Sequence, residues 1–397
     1  MTSTVTVPDH IPEGLVRDFD HISDPKFLAD PFGSLMRLRG ERAFFSPQWG
    51  GFWVLTRGAD IRTAYQRHEL FSNYPGGIPA KPGEFPLIPE ELDPPEHTKY
   101  RQAVSGLFSP RRVKEMEGDI RTVARQLLRT VEPLGSIDFV EKFAVPLPTR
   151  FFITRLGLPV EEADKFVAWN NGLMRHHEVE GGALKAYQQV NDYLKDLVAE
   201  RAVRPREDWI SELLQARVDG EPMSQSDVLN VTLLLFMAGL ETVATALAWS
   251  YNFLARNDEY RRRLVEDLSR SEAVAEELMR YFSFTNIART VRQDIEFAGV
   301  RMRAGDRVLL CNSLLSRDPE ENERPDEVDF DRGIARSAVF GLGPHRCLGS
   351  HLARLEMKIA FEEWHAVIPD YHIDPGTELR IQGSTTMGIE SLPLSWP

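Results

Sequence analysis

The stretch ARSAVFGLGPHRCLGSHLARL, Ala335 to Leu355, decides the reading of this chain. At its centre FGLGPHRCLG, Phe340 to Gly349, holds Cys347 between glycines, just before an amphipathic run that reads as a helix. Gly341, Gly343 and Gly349 offer backbone shapes that other residues resist, and they let a flat, bulky ligand approach the main chain. A cysteine at the mouth of a helix is expected to have its thiol pKa lowered by the terminal amides, whose N–H groups can also hydrogen-bond the sulfur. An isolated Cys beside a Gly-rich turn reads equally as a buried structural residue, so the rest of the chain has to supply the context.

Composition sets the outer bounds. A chain of 397 residues, 42% of them hydrophobic, can bury a large core. No linker, repeat or low-complexity tract separates two self-contained patterns, so one large domain over residues 1–397 is expected. The net charge of -13, from 47 basic and 60 acidic side chains, argues against a general nucleic-acid or anionic-membrane binder. With only Cys311 and Cys347 there is neither a disulfide framework nor a zinc cluster, which suits a reducing cytoplasm, and Cys311 reads as a small buried apolar residue. The first twenty residues lack the basic start, apolar core and cleavage site of a signal peptide, and no anchor is expected there. Val228 to Leu254 is apolar enough to raise the transmembrane question, but Glu241 at its centre would be costly in lipid. A buried helix of a soluble protein fits it better.

Taken in order, the chain offers a short helical pattern around Phe32 to Arg39, a strand at Phe52 to Thr56 and a helix from Ala59 to His68. Tyr74 to Pro95 is too dense in Pro and Gly for a regular element, and a loop of this length in a compact domain is commonly a lid. His97 and Arg101 lie four apart, on one helix face. Helical periods run over Ile120 to Arg129, Glu161 to Asn171 and Ala183 to Arg201, with Trp169, Leu173, Met174, His176 and His177 in a connection. The adjacent histidines do not make a metal site, because helical neighbours diverge by ~100° and no supporting ligand stands nearby. Val228 to Arg256 reads as one long helix carrying AGLET, Ala238 to Thr242, at its middle. There Gly239 would let something large lie against the backbone, and Thr242 can turn its hydroxyl to the preceding carbonyl. Glu277 and Arg280 are spaced to pair on one helix face.

FGLGPHRCLG resembles the haem-ligand signature of the cytochrome P-450 monooxygenases in its Phe, its two glycines, the basic residue before Cys and the Gly after it. The resemblance implies a mainly α fold, a single large haem domain with small β-sheets. It makes Cys347 the axial thiolate of haem b, flanked by Phe340 and Gly349, a ligand that favours O–O cleavage when O2 is bound. By the same resemblance His97, Arg101, Arg289 and His345 hold the propionates, Gly239 lies beside the cofactor, and Glu241 and Thr242 are the acid and alcohol that deliver protons. Glu277 and Arg280 become a buried structural pair. A third partner from the later irregular segment is usual; here Glu327 stands at the corresponding place, a departure that leaves that partner open.

Similarity to the camphor-hydroxylating branch runs from about Phe52 to the C-terminus. It implies a substrate pocket formed by Ile78, Phe85 and Leu87 of the lid, Leu234, Met237 and Ala238 of the long helix, Ile287, and the turn Thr385, Thr386, Met387. Phe85 stands where a tyrosine would offer a hydroxyl to a ketone, so camphor itself is not the expected substrate. The activity implied is hydroxylation of a small apolar terpenoid or norisoprenoid by a monomeric, cytoplasmic enzyme. The chain has no room for a flavin module, so electrons are expected from a two-iron ferredoxin and its reductase, docking on a basic patch of Lys99, Arg101, Arg111, Arg112, Arg346 and Arg354. The alternatives are a peroxide-driven haem hydroxylase, which would have less use for AGLET, and a non-enzymatic haem sensor or electron carrier, which would need no long apolar lid.

Overall fold

The apolar run that raised the membrane question forms one helix of 32 residues, Gln225–Arg256, begun by Ser224, whose side chain accepts from the Asp227 N–H. In the computed structural model, which describes residues 5–79, 87–174 and 182–397, 72% of the most apolar window of this helix is buried inside the protein. It is a core helix, packed against helices Pro146–Leu156, Ala163–Met174, Gly182–Val203, Ser271–Tyr281 and Ser350–Val367. The chain is 53% helical with small β-sheets, the mainly α architecture expected.

Helix Glu117–Val131 shows how the frame around the cysteine is fixed. Ile120, Ala124, Leu127, Leu128 and Val131 are buried at helical spacing, which gives the element one apolar face. From its other side Arg121 reaches Glu362 and Glu363 at 2.6 and 2.9 Å, and Arg125 holds both oxygens of Glu363. Those two acids belong to Ser350–Val367, the helix that follows Cys347. Trp364 on that helix has no exposed surface and packs on Phe139, Phe143 and Tyr251. Truncation of a buried aromatic such as this to Ala costs roughly 3–5 kcal/mol.

The largest sheet has five strands in the order Ala43–Ser46, Phe52–Leu55, Arg307–Cys311, Asn286–Val291, Phe71–Ser72. Only the pairing of Arg307–Cys311 with Phe52–Leu55 is parallel, and Val308 aligns with Trp53 on one side and Arg289 on the other. A separate hairpin, Ile381–Gly383 with Met387–Ile389, lies against the long helix. Its Met387 carbonyl accepts from Trp249 Nε1 at 2.7 Å, and its Met387 N–H donates to Phe284 O.

Several boundaries differ from the sequence reading. The long helix starts three residues earlier than Val228, where Ser224 supplies a cap. Trp169 and Leu173 lie in helix Ala163–Met174 rather than in a connection. Phe85, His176 and His177 fall outside the described residues. The described flanks of the Pro-rich stretch hold turns and no strand or long helix. Arg307 fastens one flank by donating to Pro75 O and Gly77 O, and Glu91 fastens both by accepting from the Gly76 and Leu87 N–H groups.

Candidate active site

The Cys347 loop is held by its own backbone. Cys347 N–H donates to Phe340 O at 2.7 Å, and Gly341 and Gly343 take φ of 63° and 67°, a region that side chains resist. Gly343 is needed twice, since a Cβ there would stand 2.6 Å from Tyr65 O. Gly349 differs from the expectation: its φ of -81° is ordinary, and a Cβ on it would meet no protein atom within 4 Å. Its contribution is open space beside the sulfur together with an N–H that hydrogen-bonds it. The Phe340 ring lies 4.4 Å under the Arg354 guanidinium. The thiol pKa is raised, not lowered as the helix-mouth argument anticipated. Cys347 keeps exposed surface, yet desolvation by the protein packed around its sulfur outweighs the Gly349 amide and the nearby Arg101 and Arg354 charges, all of which favour the thiolate. Thiolate formation is therefore left to be coupled to metal binding.

Beside this loop four basic side chains converge, with Asp93 and Glu90 acting on them only through charge. The His97 and His345 rings lie 4.1 Å apart, and His97 is 2% exposed. Arg101 donates to Arg346 O, next to the cysteine. Arg289, also 2% exposed, stacks 4.9 Å from the Tyr65 ring and, among the described residues, donates only to Ala288 O. Among the described residues neither ring nitrogen of His345 is hydrogen-bonded, and His97 Nδ1 likewise has no partner. Burial first, and then the Arg101 charge against an opposing Asp93, push the His97 pKa down to about 4, while burial and then His97, Arg289 and Arg101 push that of His345 to about 2. Among the described residues no carboxylate hydrogen-bonds any of the four. Both rings are therefore neutral at neutral pH, and the positive charge rests on Arg101 and the buried Arg289, whose burial is costly unless an anion completes the site. A cofactor that brings two carboxylates to the side of a cysteine fits it.

The long helix presents two different faces at its middle. Ala238 is exposed although 20 residues of this helix are buried, and Leu234 and Thr242, one turn to either side, are partly exposed. Residues four apart share a face, so this stripe lines an internal opening. Thr242 Oγ1 donates to Ala238 O at 3.1 Å, the local bond anticipated for it. Glu241 points elsewhere, as the ~100° between neighbours requires. It borders a second cavity of about 940 Å³ with Leu240, Ala244, Thr245 and Gln382. Its Oε1 accepts from Gln382 Nε2 at 3.0 Å and from Thr386 Oγ1 at 2.8 Å. Gly239 does not offer its backbone to a cofactor, because the space of the missing side chain holds the Phe152 ring, 2.5 Å from where a Cβ would stand.

The expected pocket residues separate by accessibility. Leu234, Ala238, Ile287 and Thr385 keep exposed surface. Thr385 is joined to the Ile287 strand through Asn286 N–H, which donates to Thr385 O at 2.8 Å. Met237, Ile78 and Leu87 are 6, 7 and 8% exposed, Thr386 is 2% and Met387 is 0%. Thr386 and Met387 are corrected accordingly: the hydroxyl of the first is committed to Glu241, and the second is packed into the core with its carbonyl taken by Trp249.

Glu277 and Arg280 pair through two 2.8 Å hydrogen bonds, with side chains 3 and 1% exposed. The third partner is Arg332, not Glu327. Arg332 Nε lies 3.0 and 3.1 Å from the two Glu277 oxygens. The Glu327 carboxylate binds Arg324, and only its main-chain carbonyl receives Arg280. The supposed basic patch is largely compensated: Lys99 pairs with Glu96 and Asp219, Arg111 with Glu115, Arg112 with Glu212 and Arg354 with Glu276.

A family model described as Cytochrome P450 matches residues 172–364. The probable cytochrome P450 127A1 of Sinorhizobium fredii is 34% identical, covering 99% of this chain and 97% of its own length. The vitamin D(3) 25-hydroxylase of Pseudonocardia autotrophica is 30% identical, covering 93 and 94% respectively. Among solved structures, CYP101J2 superposes with a TM-score of 0.91 at 31% identity, covering 99% of this chain and 100% of its own. CYP101C1 gives 0.90 with the same identity and coverage.

Proposed function

Because this chain belongs to the cytochrome P450 family of haem b monooxygenases, we propose that it is a soluble, cytoplasmic, monomeric member that hydroxylates a small apolar terpenoid or norisoprenoid with electrons from a two-iron ferredoxin. The observation that carries this reading is the accessible stripe Leu234, Ala238, Thr242 at the middle of a largely buried helix, with an anchored acid on the adjoining face. Ile287 and Thr385 extend the stripe, and a lining of this kind favours an apolar molecule with few polar groups.

Cys347 Sγ would ligate the iron, with the Gly349 N–H moderating its charge. His97, Arg101, Arg289 and His345 would hold the two propionates, and charge-assisted bonds would remove the cost of the cluster. When bound, the haem supplies the dioxygen chemistry that no side chain can perform. The remaining work falls to the chain. Thr242 Oγ1, now bonded to Ala238 O, is free to rotate and donate into the pocket, and Glu241 carries protons from the second cavity toward it. The apolar stripe excludes bulk water and positions the substrate.

An optical titration of the purified ferric protein with a panel of terpenoids, followed by product analysis with a ferredoxin system and separately with peroxide, tests the reading. Conversion from the water-bound spectrum and a hydroxylated product with ferredoxin are expected. Product with peroxide alone would move the assignment to a peroxide-driven hydroxylase, and absence of product with both would leave a sensor or carrier.

A further inference from the structure

Glu241 gets its hydrogen bonds from an element far away in the chain. Gln382 and Thr386 come from the C-terminal hairpin, 141 and 145 residues later, and both donate to the same oxygen, Oε1. Neither donor is a loose surface group, since Gln382 is 7% and Thr386 2% exposed. The turn between them is tight: Ser384 N–H donates to Thr386 O, and Thr386 N–H to Ser384 Oγ.

That turn is fastened on three sides. Trp249 Nε1 of the long helix holds the Met387 carbonyl, and Phe284 O and the Asn286 N–H hold it from the sheet side. Gly383 lies so close to the chain entering the fold that a Cβ there would be 2.4 Å from His21 O. Two donors on a turn this constrained keep a carboxylate oxygen in one place with little reorganisation.

We propose that Gln382 and Thr386 are positioning residues for proton delivery, holding Glu241 Oε1 so that the carboxylate spans from the second cavity toward the Thr242 face of the helix. The inference rests on the reading of Glu241 as proton carrier and deepens it. Thr386 is thereby moved from the substrate pocket to the support of the acid. The proton balance is simple: Glu241 accepts one from water in the cavity and releases one toward Thr242, while Gln382 and Thr386 keep their own.

The test uses the haem-loaded protein and the variants Thr386→Val, Thr386→Ser, Gln382→Met and Glu241→Gln. The infrared carboxylate band of Glu241 is assigned in the resting ferric protein by its disappearance in Glu241→Gln. Thr386→Val and Gln382→Met are expected to shift that band, and Thr386→Ser to leave it in place. In turnover with ferredoxin, reductase and β-ionone, loss of one charge-assisted bond is expected to slow the reaction roughly tenfold and to raise the solvent isotope effect, with Thr386→Ser restoring both. A band unmoved in Thr386→Val and Gln382→Met, or normal turnover in both while Glu241→Gln is slow, overturns the positioning role alone. Normal turnover in Glu241→Gln overturns the proton-carrier reading and the proposal with it. Should Thr386→Val fail to fold, Gln382→Met against Thr386→Ser carries the same comparison.

Discussion

Arg332 Nε sits between the two carboxylate oxygens of Glu277, at 3.0 and 3.1 Å, and so closes a three-membered charge cluster with Arg280. The cluster sews irregular chain to regular helix. Arg280 donates to Ser316 O, Pro325 O and Glu327 O, and Arg332 to Arg324 O and Glu327 O. Glu277 in turn accepts from Asp329 N–H. Removing one member leaves a buried charge short of its partner, which costs on the order of 3–5 kcal/mol. Arg332→Ala is therefore expected to lower the unfolding free energy measured by chemical denaturation by up to that order. Glu327→Ala should cost less than about 0.5 kcal/mol, because its carboxylate makes only an exposed pair with Arg324 and the cluster uses only its backbone. A larger loss in Glu327→Ala than in Arg332→Ala would contradict the assignment.

The quartet His97, Arg101, Arg289 and His345 leads to an expectation about cofactor retention. Arg101→Ala and His345→Phe each remove one of the proposed propionate donors while leaving Cys347 in place. Each is expected to speed haem transfer to apomyoglobin roughly tenfold, the order set by one charge-assisted hydrogen bond. Gly239→Ala should act otherwise, because the added methyl collides with Phe152 in the core. That variant is expected to lose thermal stability before it loses haem. Unchanged haem transfer in both donor variants would remove the propionate role.

How much of this was legible in the sequence follows from how far each feature depends on distant chain. Gly341, Gly343 and the Cys347 spacing are local, and the long helix with Glu241 and Thr242 shows in its period. The pair Glu277 and Arg280 is one turn apart on a single helix. Arg332 was missed because it stands in a segment with no period, where alignment by spacing fell on Glu327. Gln382 and Thr386 carry no signal of their own, since only the packing of the hairpin on the helix brings them to Glu241. Gly239 marked a missing side chain, but sequence alone could not say that Phe152 rather than a cofactor fills it. The Cys347 pKa was misjudged because helix-end amides are local while desolvation depends on the whole fold.

His365 makes acid sensitivity partly a property of one buried ring. It is 2% exposed, with Nδ1 and Nε2 within 2.8 and 3.0 Å of Phe361 O and Tyr371 Oη, and burial lowers its pKa from 6.5 to about 4. The folded state thus binds fewer protons than the unfolded one between those values. Its contribution is fully present above pH 6.5 and is lost as pH falls toward 4, by about 1.4 kcal/mol for each pH unit at most. Denaturation of wild type and His365→Gln between pH 7 and 4.5 should show a steeper decline in the wild type. Parallel curves would exclude this histidine as a source of acid sensitivity.

The compensation of the basic patch alters what electron delivery should look like if the ferredoxin docks on the cysteine side. Arg112 is held by Glu212 through an Nη2–Oε1 bond of 2.7 Å, and Arg354 is held by Glu276, so these arginines offer a partner little net field. Arg346 is exposed and has no ion pair among the described residues, which makes it the most available charge. Rim charges of this kind act mainly on association rate and salt dependence. Reduction by ferredoxin should slow only gently from low to high salt, and Arg346→Ala should slow it by a few-fold at low salt, an effect that fades near 0.5 M as screening shortens. Glu212→Gln, by releasing Arg112, should speed reduction and steepen the salt dependence. Stopped-flow reduction at several salt concentrations distinguishes these outcomes. If Arg346→Ala is without effect and Glu212→Gln slows reduction, the partner docks on another face.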